Sequence, residues 1–157
     1  MPTADTENNE AVIETLLSFS LFEGFTSHGV SRLVVAGEVV KADPGHLFCS
    51  EGDEAGDVVL VLSGQLEVFV NRDGKDISIA GVEAGAILGE IALLSELPRS
   101  ASVRSKTEVM LLTWSGKVFR RLLFSDAGFA RRIFRASLRA VIDGEKRMIT
   151  KRVDGVE

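Results

Sequence analysis

With 157 residues, 45% of them apolar, and a formal charge of −5, the chain has the length and apolar content of one domain closing a single core. The acidic balance excludes a surface built wholly to hold nucleic acid, though it leaves room for a local basic patch. A single cysteine, Cys49, excludes an intrachain disulfide and a multi-thiolate metal site, and reads as a small buried residue.

The polar, acidic lead from Met1 to Glu10 is expected to be flexible. Ala11, Val12, Ile13, Leu16, Leu17 and Phe19 then form a helical stripe, and Thr26 or Ser27 is placed to cap a second short helix through Val35. From 37 to 114 the texture changes to short β-branched runs parted by turns, among them Pro44-Gly45, Glu51-Gly52-Asp53, Ser63-Gly64 and Asp73-Gly74. That spacing predicts a small antiparallel barrel or jelly roll, so the fold class is mainly β with flanking helices. Val58 to Leu62 reads as a strand covered on both sides, and Asp73-Gly74 as the turn of a hairpin. Ser115 can cap a helix carrying Val118, Phe119, Leu122 and Leu123. A longer helix follows from about Ala127 to Ile149, with Ala130, Ile133, Phe134, Leu138, Val141 and Ile142 on one side and Arg131, Arg132, Arg135 and Arg139 on the other. The expected organisation is a lead (1–10), one domain (11–150) made of a helical segment (11–36), a β-roll (37–114) and C-terminal helices (115–150), and a tail (151–157). No apolar run approaches the roughly 18 residues of a membrane span, so the chain is read as soluble and cytoplasmic.

One stretch, 88–103, breaks the β pattern: Leu88-Gly89-Glu90-Ile91-Ala92-Leu93-Leu94, then Pro98-Arg99-Ser100-Ala101-Ser102-Val103. It reads as a short helix inserted between strands. Glycine at its start lets backbone come close to a ligand, and the first turn has amide donors without intrahelical partners, which suits an anion. Pro98 ends the turn and delivers Arg99, whose planar fork can hold two phosphate oxygens. Glu90, a pure acceptor when ionised, suits a sugar hydroxyl rather than a phosphate. Phosphate plus hydroxyl points to a sugar phosphate.

These residues resemble the phosphate-binding cassette of the cyclic nucleotide-binding domain family, which occurs in catabolite activator proteins, protein kinase A regulatory subunits and bacterial cyclic-nucleotide-gated channels. Gly89, Glu90, Ala92, Leu93, Leu94, Pro98, Arg99, Ser100 and Ala101 stand at the family's spacing, and the likeness runs from about Leu21 to Ile149. The resemblance implies that Arg99 and the amides around Ile91 and Ala92 hold the cyclic phosphate. It implies that Glu90 takes the ribose 2′-hydroxyl, and that Gly89, Ser100 and Ala101 complete the shell. By the same comparison Val68, Ile79 and Leu88 line the wall for the base, with Arg139, Val141 or Ile142 as a cap over it. Serine at 100 puts cAMP first and leaves cGMP open, since a threonine there favours cGMP in the family.

Other chemistry finds little support. His28 and His46 lie in different segments and offer no metal-binding cluster, and no nucleophile motif stands out, so neither a metal, a cofactor nor an enzymatic activity is expected. Between Lys117 and Arg152 there are 11 basic and 3 acidic residues, a solvated face or a surface for a partner or anionic lipid. Too few residues follow that helix for the DNA-binding domain carried by transcription activators of the family. The output is expected to pass to a partner protein, a second copy or a fused segment. Two alternatives stay open, a ligand-free interaction scaffold and the cytoplasmic part of a cyclic-nucleotide-gated channel.

Overall fold

The structure is a computed structural model that describes the backbone of residues 4–155 and the side-chain surroundings of residues 8–143. Helices α1 (Ala4–Leu17) and α2 (Ser27–Ala36), with a 3-10 turn at Ser20–Phe22 between them, precede the strands. Thr26 caps α2, its hydroxyl accepting from the Gly29 amide at 3.1 Å. The first helix starts at Ala4, inside the lead expected to be flexible.

Strands β1 (Glu38–Ala42), β2 (Leu47–Cys49), β3 (Val58–Ser63), β4 (Leu66–Arg72), β5 (Lys75–Val82), β6 (Ile87–Leu88), β7 (Ser102–Ser105) and β8 (Val109–Trp114) form two four-stranded antiparallel sheets. Their orders are β1-β8-β3-β6 and β2-β7-β4-β5, the expected β-roll. The hairpin at Asp73-Gly74 forms with Arg72 opposite Lys75, and both turn residues have positive φ, which fits the right-handed twist of the strands. Helix α3 (Glu90–Ser95) interrupts the roll between β6 and β7.

Among the described residues, two apolar clusters form the core. Val61, Leu66, Val109 and Leu111 lie inside the roll. The other cluster joins Leu60, Leu112 and Trp114 to the helices through Leu16, Phe22, Leu33, Phe119 and Phe129. Helix α4 (Gly116–Ser125) is capped by Ser115, whose hydroxyl accepts from the Val118 amide at 3.2 Å.

Helix α5 (Ala127–Gly155) runs past the expected end at Ile149. Its docked side differs from the one expected. Phe129 and Ile133 are fully buried, whereas Phe134 is 67% exposed and Leu138, Val141 and Ile142 are exposed too. Phe129 and Ile133 are four residues apart and share one face, and Phe134 is rotated about 100° from Ile133 onto another. The arginine row also divides: Arg132 donates to the Leu21 carbonyl at 3.4 Å and lies 5.1 Å from the Phe25 ring centre, while Arg131, Arg135 and Arg139 are exposed.

Candidate functional site

Leu88 ends β6 with its Cα paired to Val59, and the next residue, Gly89, turns the chain at φ +93° into α3. A Cβ on Gly89 would stand 2.5 Å from Arg99 Nη1 and 2.7 Å from the Asp57 carbonyl oxygen. Glycine is therefore required twice, by the left-handed backbone and by the close approach of the guanidinium. Within α3 the first helical bond runs from the Leu93 amide to the Gly89 carbonyl at 3.2 Å, so the amides of Ile91 and Ala92 precede the hydrogen-bonded ladder.

Arg99 is held by backbone on both sides. Its amide donates to the Asp53 carbonyl at 2.8 Å, its carbonyl accepts from the Gly52 amide at 2.9 Å, and Nη2 donates to the Asp57 carbonyl at 2.7 Å. Among the described residues it forms no ion pair with a carboxylate, Glu90 included. Its Nε is the one buried side-chain polar atom there without a hydrogen-bond partner. A buried donor left unpaired costs free energy, and a cation in that state is a ready receptor for an anion.

Glu90 is only 4% exposed. Its Oε1 accepts from the Ser137 hydroxyl of α5 at 3.1 Å. Leu93, one turn on, is buried in the cluster that contains Phe119 and Phe129, and Arg120 of α4 donates to the Leu93 carbonyl at 3.0 Å. The inserted helix is thus tied to both C-terminal helices.

The structure brings Gly89, Glu90, Ile91, Ala92 and Arg99 into one corner, with Ser100 exposed and Ala101 half-buried beside it. Val68 is half-buried on β4 opposite Val103, and Leu88 packs against the cluster inside the roll. Ile79 is 52% exposed at the irregularity where β4 and β5 slip register. Arg139 lines a cleft of about 480 Å³ together with Glu90, Arg132 and Arg135. Val141 and Ile142 lie farther along α5 and are outside that cleft. A wider hollow of about 660 Å³ at Val40–His46 and Glu108 holds none of the expected site residues.

Residues 39–126, more than half of the chain, match the model of the cyclic nucleotide-binding domain. The chain belongs to the cyclic nucleotide-binding domain family. A cAMP-dependent protein kinase regulatory subunit from Pyricularia oryzae is 38% identical over 98 residues, which are 62% of this chain and 25% of that protein. Acetyltransferase Pat from Mycolicibacterium smegmatis is 32% identical over 139 residues, 87% of this chain and 41% of that protein. The chain therefore spans less than half the length of these two relatives. In fold it is similar to a cyclic nucleotide-binding domain from Methylobacillus flagellatus, with a TM-score of 0.77 over 94% of this chain and 85% of the other at 24% identity. Among the described residues no helix is long and apolar enough to cross a membrane.

In this cyclic nucleotide-binding domain two contributors escaped the sequence reading. The Glu51-Gly52-Asp53 turn does more than shape the roll, because its backbone brackets Arg99 on both sides. Ser137 was one polar residue in an amphipathic helix, with nothing nearby in the chain to mark it as a partner of Glu90. A helical count back from Ser137 to the buried Ile133, one turn earlier on the same face, is the signal that could have placed it toward the domain.

Burial pushes the Glu90 carboxyl above its ordinary 4.5, against the pull of its own amide, Ser137 and the charge of Arg99. Folded Glu90 keeps its proton to a higher pH than the unfolded chain does. From about pH 4.5 up to its raised value, the folded state binds more protons, so this group's contribution to stability falls as pH rises through that interval. Glu51 and Glu67 act in the opposite sense, lowered by hydrogen bonds from Arg72 and Arg104; their contribution is lost on acidification. Glu90→Gln should therefore remove a fall in stability that sets in as pH rises above about 4.5, read as the difference between the two proteins' melting temperatures across a pH series. A constant difference at every pH would refute the assignment.

Proposed function

We propose that this domain is a cyclic nucleotide sensor, with cAMP as first ligand and cGMP second, and that it signals by moving α5 rather than by catalysing a reaction. The observation that carries this reading is the buried, unpartnered Nε of Arg99 beside the early amides of α3. A cyclic phosphate would complete that guanidinium by charge-assisted hydrogen bonds. Glu90 would accept from the ribose 2′-hydroxyl, and the exposed Ser100 hydroxyl would lie beside the phosphate. Val68, Leu88 and Ile79 would offer apolar surface to the base, and Arg139 of the same helix as Ser137 a planar cap.

Support for cAMP comes from the regulatory subunits of cAMP-dependent kinases among the relatives. The acetyltransferase among them supports a module whose output lies in a partner or a fused segment. A ligand moves an equilibrium only through different affinities for two states, so α5 must pack differently when the site is filled.

Thermal unfolding tests the reading. At a hundred times its dissociation constant, a ligand of the folded state should add about 2.7 kcal/mol, or about 5–11 °C in Tm for a chain of this size. Neither cAMP nor cGMP raising the midpoint would overturn the sensor and leave the interaction scaffold.

A further inference from the structure

Helix α3 has six residues, too few to stay wound alone, because the first turn of a helix fixes several dihedral angles for each hydrogen bond it gains. It depends on what holds its ends. The Leu93 carbonyl belongs to the last turn, where carbonyls have no donor within the helix. Arg120 of α4 supplies one, its Nη2 donating at 3.0 Å. The same guanidinium brings Nη1 to 3.8 Å from Oε1 of Glu96, the residue that ends α3 with a left-handed φ of +58°. Packing presses α4 against this turn as well. Leu93 is 5% exposed in the cluster that holds Phe119, and a Cβ on Gly116 would stand 2.8 Å from Leu93 Cδ1.

We propose that Arg120 is a positioning residue for the nucleotide: it keeps α3 wound in the unliganded domain, so that an arriving phosphate meets a finished corner and does not have to order one. The proposal rests on the reading of the corner from Gly89 to Arg99 as the phosphate site. Its electrostatic sense is favourable, since a cation at the C-terminal end of a helix and an anion at the N-terminal end both follow the helix dipole. In six residues those ends are only about 9 Å apart. Arg99 is held differently, by the backbone of Gly52, Asp53 and Asp57, none of which lies in α3 or α4. Removing Arg120 therefore leaves Arg99 in place. The two arginines divide the work: Arg99 meets the ligand, and Arg120 lowers the ordering cost that the ligand would otherwise bear. With 45% of its side chain exposed, Arg120 acts on the scale of a surface charge at a helix end.

The experiment compares the wild type, Arg120→Ala and Arg120→Lys by nucleotide titration, by amide hydrogen exchange and by thermal melting without ligand, using cAMP, or cGMP where that is the nucleotide bound. Arg120→Ala should raise the dissociation constant about two- to fivefold. In the unliganded variant the amides from 90 to 95 should exchange faster than in the wild type, while the roll and the melting temperature stay close to theirs. At saturating nucleotide the two proteins should exchange alike over α3, because the ligand then orders what Arg120 no longer does. Arg120→Lys, which keeps a charged donor for the Leu93 carbonyl, should recover part of both effects. If Arg120→Ala leaves either the α3 exchange or the affinity at its wild-type value, the positioning role is wrong and the sensor stands. Faster exchange throughout the domain with a large fall in melting temperature, or a lysine variant no better than alanine on either measure, would overturn it equally. If neither nucleotide binds the wild type, the sensor reading itself fails and the positioning role fails with it.

Discussion

Arg99→Ala should weaken cyclic nucleotide binding by about 10- to 150-fold, the equivalent of ~1.5–3 kcal/mol for hydrogen bonds to a charged group. The unliganded fold should hardly notice. The variant loses the 2.7 Å bond to the Asp57 carbonyl, but it also loses a buried Nε that has no partner, and the two effects oppose each other. A titration calorimeter and a thermal melt on the same sample read both quantities. Arg99→Lys sharpens the test, because an ammonium keeps the charge and gives up the planar fork; its affinity should fall between those of the wild type and the alanine variant. Undiminished affinity in Arg99→Ala would remove the guanidinium from the site. A large drop in melting temperature without ligand would make Arg99 a structural residue instead.

Trp114→Ala should have the largest effect on the fold itself, about 3–5 kcal/mol of the roughly 5–15 kcal/mol that stabilise a domain. The indole is 1% exposed at the end of β8, where the sheet meets the helices. Its Nε1 donates to the Leu33 carbonyl of α2 at 2.8 Å, and its ring lies 5.7 Å from that of Phe119 in α4. Removing it opens a cavity between three elements and leaves a buried carbonyl without its donor. Urea unfolding followed by circular dichroism measures the loss, and Trp114→Phe, which keeps most of the apolar volume, should lose markedly less. A loss below about 1.5 kcal/mol for the alanine variant would mean that the helices and the roll are held together elsewhere.

The sequence was transparent around Arg99 and opaque around Trp114, whose partners Leu33 and Phe119 come from separate elements. Gly89 through Ala101 is one short stretch in which residue types report local needs: a left-handed corner at Gly89, amide donors before the first helical bond, and an arginine delivered after Pro98. The Asp73-Gly74 hairpin and the Thr26 and Ser115 caps were legible for the same reason, since each is decided by dihedral angles or by a side chain reaching three residues along the chain. The edges of α1 and α5 were not, because polar residues extend a helix without leaving an apolar period.

By itself, then, the sequence determined a β-roll flanked by helices and a left-handed corner leading into a short helix and an arginine at Gly89 to Arg99, because turn chemistry, strand alternation and that corner are properties of neighbouring residues. Only the tertiary structure decided that Asp57, 42 positions away, braces Arg99, and that Ser137, 47 positions away, donates to Glu90. It also decided that Phe129 and Ile133 dock α5 while Phe134 faces outward. α5 offers apolar side chains over a wide arc, and which part of that arc is buried depends on the surface presented by Phe22, Phe119 and Leu93, not on the helix's own period.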